Sequence, residues 1–227
     1  NQQADTLMGG MGNDSLTGGF GWDSLLGREG NDFLNGNNGN DFLNIQTISG
    51  ITTVYGDNGS DTFNVGNAGG IVDGIGALLT INGNDPTSGS DVLNVDDTGD
   101  NSTNTGILTS TTITGLDMGG SITYGTIEHL TISLGSGADT FTIESTHGDA
   151  TIATVQLEET TLNTGAGIDT VNINDATDLL FVNGQGDADT INVFGTGVGS
   201  VSTLSGDDGN DIFNIQAMDG VVNVRGG

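Results

Sequence analysis

Residues 9–44 read GGMGNDSLT GGFGWDSLL GREGNDFLN GNNGNDFLN, four nine-residue units in succession. Asp14, Asp23, Asp32 and Asp41 recur at that period, and Asp5 in QADTLM adds a fifth aspartate in register. In each unit a glycine-rich half, able to take positive φ, precedes a short half in which an apolar residue alternates with polar ones. The pattern spells a turn and then a short strand. Leu7, Leu16, Leu25, Leu34 and Leu43 each stand two residues after an aspartate, and a nine-residue period with a turn in every unit is incompatible with an α-helix. Stacked turns of this kind make a parallel coil around a thin apolar interior.

These units resemble the GGxGxDxUx nonapeptides of the RTX (repeats-in-toxin) family, a calcium-binding β-helix repeat. The resemblance implies an all-β fold, a right-handed parallel β-roll or β-helix solenoid with two nonapeptides per coil and Ca2+ between superposed turns. Asp14 is then expected over Asp32, with Asp5, Asp23 and Asp41 along the other edge. Gly10, Gly12, Gly19, Gly21, Gly30 and Gly39 are implied as further ligands through their backbone carbonyls. Elementary electrostatics agrees: carboxylates superposed at the strand spacing of about 4.8 Å repel by roughly 3.5 kcal/mol at an effective dielectric near 20. Something positive must sit between them. The turns offer carboxylate and carbonyl oxygens but no sulfur or imidazole, which suits a hard cation such as calcium.

Composition narrows the function classes. Only 33% of the 227 residues are hydrophobic and 41 are glycine, which excludes a thick globular core and favours a thin solenoid. Two Lys plus Arg against 30 Asp plus Glu give a formal charge of −28, which argues against nucleic acid as a partner and makes a compact metal-free chain self-repelling. There are no cysteines, so disulfides cannot staple the fold and calcium is the remaining staple. No apolar run approaches membrane-spanning length, and no charged-then-apolar leader stands at Asn1. The family resemblance implies type I secretion on an uncleaved C-terminal signal and therefore a secreted, extracellular or cell-surface location.

After Asn44 the strict period gives way to a looser unit of strand, glycine turn with aspartate, and strand. Its six copies are ITTVYGDNGSDTFNV, LLTINGNDPTSGSDVLNV, HLTISLGSGADTFTI, TTLNTGAGIDTVNI, LLFVNGQGDADTINV and VSTLSGDDGNDIFNI. From Asp41 their aspartates advance by 20, 30, 48, 30, 20 and 22 residues, to Asp61, Asp91, Asp139, Asp169, Asp189 and Asp211. Such steps are coil-sized, with added loops such as GNAGGIVDGIGA and ESTHGDATIATVQ where the step is 30. The longest step holds a Thr-rich insertion at about 96–128, read as an extra hairpin or a wider coil. The expected organisation is one continuous solenoid, 1–44 strict and 45–227 degenerate, with open repeats at both ends. Phe63, Leu93, Phe141, Val171, Ile191 and Phe213, followed two residues later by Val65, Val95, Ile143, Ile173, Val193 and Ile215, are expected to face inward.

Asp61, Asp139, Asp169 and Asp211 keep a glycine two residues before the aspartate and extend the candidate metal set. Asp91 follows a longer turn containing Asp85 and Pro86, and GQGDAD before Asp189 carries an extra residue after its second glycine; both are weaker candidates, as are Asp57 and Asp207 in neighbouring turns. Glu158 and Glu159, His129 and His147, and the acidic run Asp96, Asp97 and Asp100 read as solvated or structural, although that run could also be a cation loop. Trp22 replaces the Asn of neighbouring repeats and is expected to pack over the next turn or against a neighbouring domain, with sugar stacking as the alternative.

The function implied is a calcium-folded structural or adhesive module of a large secreted or cell-surface protein, with no enzyme activity. Its partners would be neighbouring repeats or identical subunits end to end, with cell-surface polysaccharide a further candidate. The alternatives are the noncatalytic C-terminal roll of a secreted hydrolase or epimerase, and a carbohydrate- or ice-binding β-solenoid. A lyase is disfavoured because the chain has no Lys and its two arginines, Arg28 and Arg225, lie near opposite ends of the sequence.

Overall fold

The computed structural model describes residues 4–84, 89–147 and 158–227; Asp85, Pro86 and the 148–156 part of the ESTHGDATIATVQ loop lie outside the described residues. Strands and turns account for the regular structure, and no helix among the described residues is long and apolar enough to cross a membrane. The strands are β1 (Thr6–Met11), β2 (Ser15–Phe20), β3 (Ser24–Glu29), β4 (Phe33–Asn38), β5 (Phe42–Ile45), β6 (Thr52–Asn58), β7 (Thr62–Val65), β8 (Leu78–Asn82) and β9 (Val92–Asp96). Next come β10 (Thr105–Leu108), β11 (Thr112–Gly115), β12 (Ser121–Gly125), β13 (His129–Ser133), β14 (Thr140–Ile143) and β15 (Glu159–Asn163). The last are β16 (Thr170–Ile173), β17 (Leu179–Asn183), β18 (Thr190–Val193), β19 (Val201–Ser205), β20 (Ile212–Ile215) and β21 (Val221–Arg225). They fall into two compact units, Asn1–Asp96 with Met118–Leu130, and Asp97–Asp117 with Thr131–Gly227.

In the first unit β1, β3, β5, β7 and β9 pair in parallel, and β2, β4, β6, β8 and β12 form a second parallel sheet, so each coil contributes one strand to each wall. The register sets like on like. Leu7 pairs with Leu25, Leu25 with Leu43, Leu43 with Phe63 and Phe63 with Leu93. On the other wall Leu16, Leu34, Val54, Ile81 and Tyr124 make the matching column. From Leu25 onward both columns are buried, each side chain contributing about 1.5–3 kcal/mol. The loop between β7 and β8 is not a solvated excursion, because it tucks Val72 and Ile75 into the interior.

The second unit repeats the plan. β14, β16, β18 and β20 pair in parallel, as do β15, β17, β19 and β21. The Thr-rich segment supplies β10 and β11, an antiparallel hairpin whose β10 lies parallel to β14 and opposes Gly106 to Phe141. A Cβ at Gly106 would run into the Phe141 ring and Leu116, so only glycine fits beneath it. Phe141, Val171 and Ile191 form a buried inner column as expected, while on the edge strand β20 Phe213 is half-buried and Ile215 is exposed.

Outward-facing positions are ordered too. Asn64 donates to Asn44 at 3.1 Å and Asn94 to Asn64 at 3.0 Å; in the second unit Asn192 donates to Asn172 and Asn214 to Asn192, both at 2.9 Å. Thr140, Thr170 and Thr190 form the row beside that second ladder.

Candidate metal centre

Each key aspartate stands immediately before a strand, at the point where the glycine turn straightens. In the first unit the backbone N–H of Asp5 donates to Asp23 Oδ1 (2.7 Å), Asp23 to Asp41 (2.7 Å), Asp41 to Asp61 (2.8 Å) and Asp61 to Asp91 (2.8 Å). Along the opposite edge Asp14 donates to Asp32 Oδ1 at 3.0 Å. The second unit has the same arrangement, Asp139 to Asp169 (2.7 Å), Asp169 to Asp189 (2.8 Å) and Asp189 to Asp211 (3.1 Å). The expected assignment of Asp14 and Asp32 to one edge and Asp5, Asp23 and Asp41 to the other matches this geometry. One carboxylate per coil is thus superposed on the next.

Only one oxygen of each pair is used by these bonds. Oδ2 of Asp14, Asp23, Asp32, Asp41, Asp139, Asp169 and Asp189 is buried and has no hydrogen-bond partner among the described residues. Room for it comes from the glycine five residues earlier: a Cβ on Gly18 would stand 2.5 Å from Asp23 Oδ2, and one on Gly27 2.7 Å from Asp32 Oδ2. Gly9, Gly36, Gly184 and Gly206 serve Asp14, Asp41, Asp189 and Asp211 in the same way. The glycines singled out from the sequence do something different. Gly10, Gly12, Gly19, Gly21, Gly30 and Gly39 turn the chain with φ between 107° and 134°, and the Gly12 and Gly21 carbonyls press against Gly30 and Gly39 of the following coil.

Asp189 is in full register. From Gly184 to Asp189 the turn has the same length as from Gly9 to Asp14, with Gln185 (φ 70°) and Asp187 (φ 72°) taking the two positive-φ places. The apparent extra residue is a shift of the visible glycine, not of the turn. Asp57 and Asp207 also occupy a positive-φ place, at 70° and 60°. Asp57 Oδ1 accepts from Asn84 Nδ2 (2.8 Å), while Asp207 accepts from Ser205 Oγ through Oδ1 (2.7 Å) and from Gln185 N of the preceding coil through Oδ2 (3.3 Å); both carboxylates are outside the buried ladder.

Three ladder members have no motif to betray them. Asp91 N donates to Glu128 Oε2 (2.6 Å), Asp32 N to Thr52 Oγ1 (3.5 Å), and Asn104 N to Asp139 Oδ1 (2.7 Å). Glu128 arrives from a segment 37 residues downstream of Asp91, a distance at which no spacing rule operates. Trp22 is 68% exposed, so it does not pack on a turn of this chain.

Burial dominates the electrostatics. It pushes the carboxyls of Asp32, Asp41 and Asp139 above the usual carboxylate range, and those of Asp169 and Asp189 up to about 6, despite the backbone N–H each accepts. Neighbouring carboxylates add to the rise, Asp14 on Asp32 and Asp211 on Asp189. A group so placed favours a proton or a cation over bare charge.

Residues 1–34 and 17–44 match the family model of the RTX calcium-binding nonapeptide repeat, in four copies. Residues 1–44 carry RTX calcium-binding repeats. No curated protein and no solved structure matches the chain significantly. RTX repeats bind Ca2+ at several sites and fold as a β-roll, which is the parallel two-walled coil described above. The donors fit that ion: orphaned buried carboxylate oxygens stacked coil upon coil, with glycine carbonyls in the same turns and no sulfur or imidazole among them.

Proposed function

We propose that the chain is a calcium-loaded structural or adhesive module of a large secreted or cell-surface protein, folded by the ion outside the cell. The observation that carries this reading is the stacking of carboxylates coil upon coil, in which Oδ2 of Asp14, Asp23, Asp32, Asp41, Asp139, Asp169 and Asp189 is buried with no hydrogen-bond partner among the described residues. In the nonapeptides the ion would be held by Asp5, Asp14, Asp23, Asp32 and Asp41 with the carbonyls of Gly10, Gly12, Gly19, Gly21, Gly30 and Gly39. In the later coils Asp61, Asp91, Asp139, Asp169, Asp189 and Asp211 take the same part. In the low-calcium cytoplasm the chain is a self-repelling polyanion, and millimolar extracellular calcium supplies the charge that lets the coils close. The assembled rod would join neighbouring repeats or identical subunits end to end and display its loops, with a cell-surface polysaccharide as a candidate ligand.

Circular dichroism of the chain through a calcium titration, with magnesium as control, tests the reading. A coil-to-β transition driven by calcium alone supports it; a chain already fully β-structured in calcium-free buffer and unmoved by the ion removes it.

A second reading, a flat carbohydrate- or ice-binding face, has its own support in the Thr140, Thr170 and Thr190 row beside the hydrogen-bonded Asn172, Asn192 and Asn214. Adsorption of the calcium-loaded chain to ice or to an insoluble polysaccharide, abolished by Thr170→Tyr, would support it; equal adsorption by the variant would count against it.

A further inference from the structure

On the first unit a cavity of about 270 Å³ opens beside the strict repeats, lined by Gly10, Met11, Arg28, Glu29, Gln46 and Thr47. Its origin is a mismatch of strand lengths. β1 and β3 pair as far as Gly10 with Arg28 and Met11 with Glu29, but the pairing of β3 with β5 runs only from Ser24 with Phe42 to Leu26 with Asn44, and β5 ends at Ile45. The chain that follows turns inward instead of making another glycine turn: Ile48 is buried and bridges to Ile75. Arg28 and Glu29 therefore have a strand on one side and the cavity on the other.

Three features set Arg28 apart. It holds φ at 76°, where its partner one coil earlier is Gly10 and where the other edge uses Gly19 and Asn37, so the backbone of an arginine is strained there. It is the only Lys or Arg of this unit, since the chain has no Lys and Arg225 is on β21 of the other. It is exposed and, among the described residues, makes no ion pair, although the equally exposed Glu29 lines the same cavity. No ion pair within the described chain offsets the strain, and residues held in this way cluster at binding sites. The cavity thus presents one positive and one negative side chain that leave each other unpaired.

We propose that this cavity binds a small zwitterion, an α-amino acid, whose carboxylate takes the forked N–H donors of Arg28 and whose ammonium is met by Glu29. Two properties select that class. The volume lies just below the roughly 300–1,000 Å³ of sites for drug-sized ligands, so it suits one small molecule rather than a polymer. The formal charge of −28 repels anions at long range, and a ligand of zero net charge approaches without that opposition. Gln46 and Thr47 supply amide and hydroxyl groups to the same two ends, and Met11, 84% exposed, offers an unbranched thioether to an apolar side chain. Above Gly10 a Cβ would meet nothing within 4 Å, which keeps the entrance clear. The site takes no ligand from the aspartate ladder and asks of the calcium reading only that the coils be folded.

Saturation-transfer NMR of the calcium-loaded full chain with L-leucine as probe tests the site, and circular dichroism of each sample reports the fold. Leucine is expected to bind, while 4-methylpentanoate and 3-methylbutylamine, which keep its apolar group but carry one charge each, should bind at least about tenfold more weakly. Arg28→Gln and Glu29→Gln should each lower leucine affinity about tenfold with the β signal unchanged; the chain already tolerates glutamine at such a φ, since Gln185 holds 70°. Arg28→Gly, which restores the residue of the paired Gly10 place, should abolish binding and keep Tm at or above the wild-type value. Absence of leucine binding to the folded wild type overturns the site. So does 4-methylpentanoate that binds as well as leucine, or a leucine affinity that both glutamine variants leave unchanged. Failure of the calcium reading shows separately, as a β signal indifferent to the ion, and the leucine measurement then decides the site in either buffer.

Discussion

At Gly18 a single hydrogen is all that separates the backbone from the Asp23 carboxylate, whereas its neighbour Gly19 faces open space but holds φ at 115°. The two glycines are therefore required for different reasons, and alanine should distinguish them. Gly18→Ala displaces the Asp23 carboxylate at a cost of about 1–3 kcal/mol and should move the calcium midpoint in circular dichroism to higher concentration. Gly19→Ala strains the backbone by about 1–2 kcal/mol and should lower the Tm of the calcium-loaded protein. Gly19→Asn should be milder, since Asn37 holds the equivalent place with φ 75°. Asp23→Asn keeps an acceptor for the Asp5 amide while removing one charge from the column, so it should weaken calcium binding at least tenfold without unfolding the protein, as read by calorimetric titration.

At the scale of the strand and its turn, the outward asparagine ladder is the simplest place to measure coil-to-coil adhesion. Asn192 donates to Asn172 and accepts from Asn214, so Asn192→Ala should cost about 1–2 kcal/mol, a fall in Tm of roughly 2–8 °C for a chain of this size. The aspartate column of the second unit should respond to pH. Asp169 and Asp189 titrate at about 6 when folded, above the roughly 3.9 of an unfolded carboxyl, so folding favours their protonated forms. The stability they lend the calcium-free protein is complete below the unfolded value and is lost as pH rises through about 6. Any β structure that the calcium-free chain forms at about pH 5 should therefore be lost by about pH 7.5. Calcium competes with those same protons, so its affinity should climb over that window. Circular dichroism across that window in metal-free and calcium buffers would show both trends, and a calcium-free β signal that grows with pH would contradict the assignment.

The turns and their aspartates were legible in the sequence because a repeated local conformation demands repeated local chemistry. Period, strand placement and the column from Leu7 through Phe63 to Leu93 followed from that, whereas Val54, Ile81 and Tyr124 on the other wall did not, and Ile215, expected inside, is exposed. At Asp189 the same reasoning misjudged the turn, because Gln185 and Asp187 accept positive φ and so hide a conserved backbone path behind altered residues. Glu128 and Asn104 were invisible for another reason: their positions in the ladder are set by long-range packing rather than by spacing. The roles of Gly9, Gly18, Gly27 and Gly36 lay open in the sequence, five residues before each aspartate, but steric need cannot be told from turn preference until the carboxylate is seen above them.

For the whole molecule the governing quantity is a formal charge of −28, and its response to ions separates screening from binding. Raising NaCl to about 1 M shrinks the Debye length to about 3 Å and relaxes repulsion between exposed groups, but it leaves buried carboxylates without a ligand. Small-angle scattering should show partial compaction of the calcium-free chain in high salt, while circular dichroism shows no gain of β signal until calcium is added. A β transition produced by NaCl alone would make the charge balance, rather than coordination, the cause of folding.

Every link of the aspartate ladder points the same way: an amide in one coil is satisfied by the carboxylate of the next coil toward the C-terminus. This gives the stack a direction in time as well as in space. A chain emerging from a pore N-terminus first always carries an incomplete last coil, whose amide waits for a partner still inside. Emerging in the opposite sense, each arriving coil meets a carboxylate already in place and can lock on contact. The same sequence is therefore a ratchet for one order of arrival and a queue for the other.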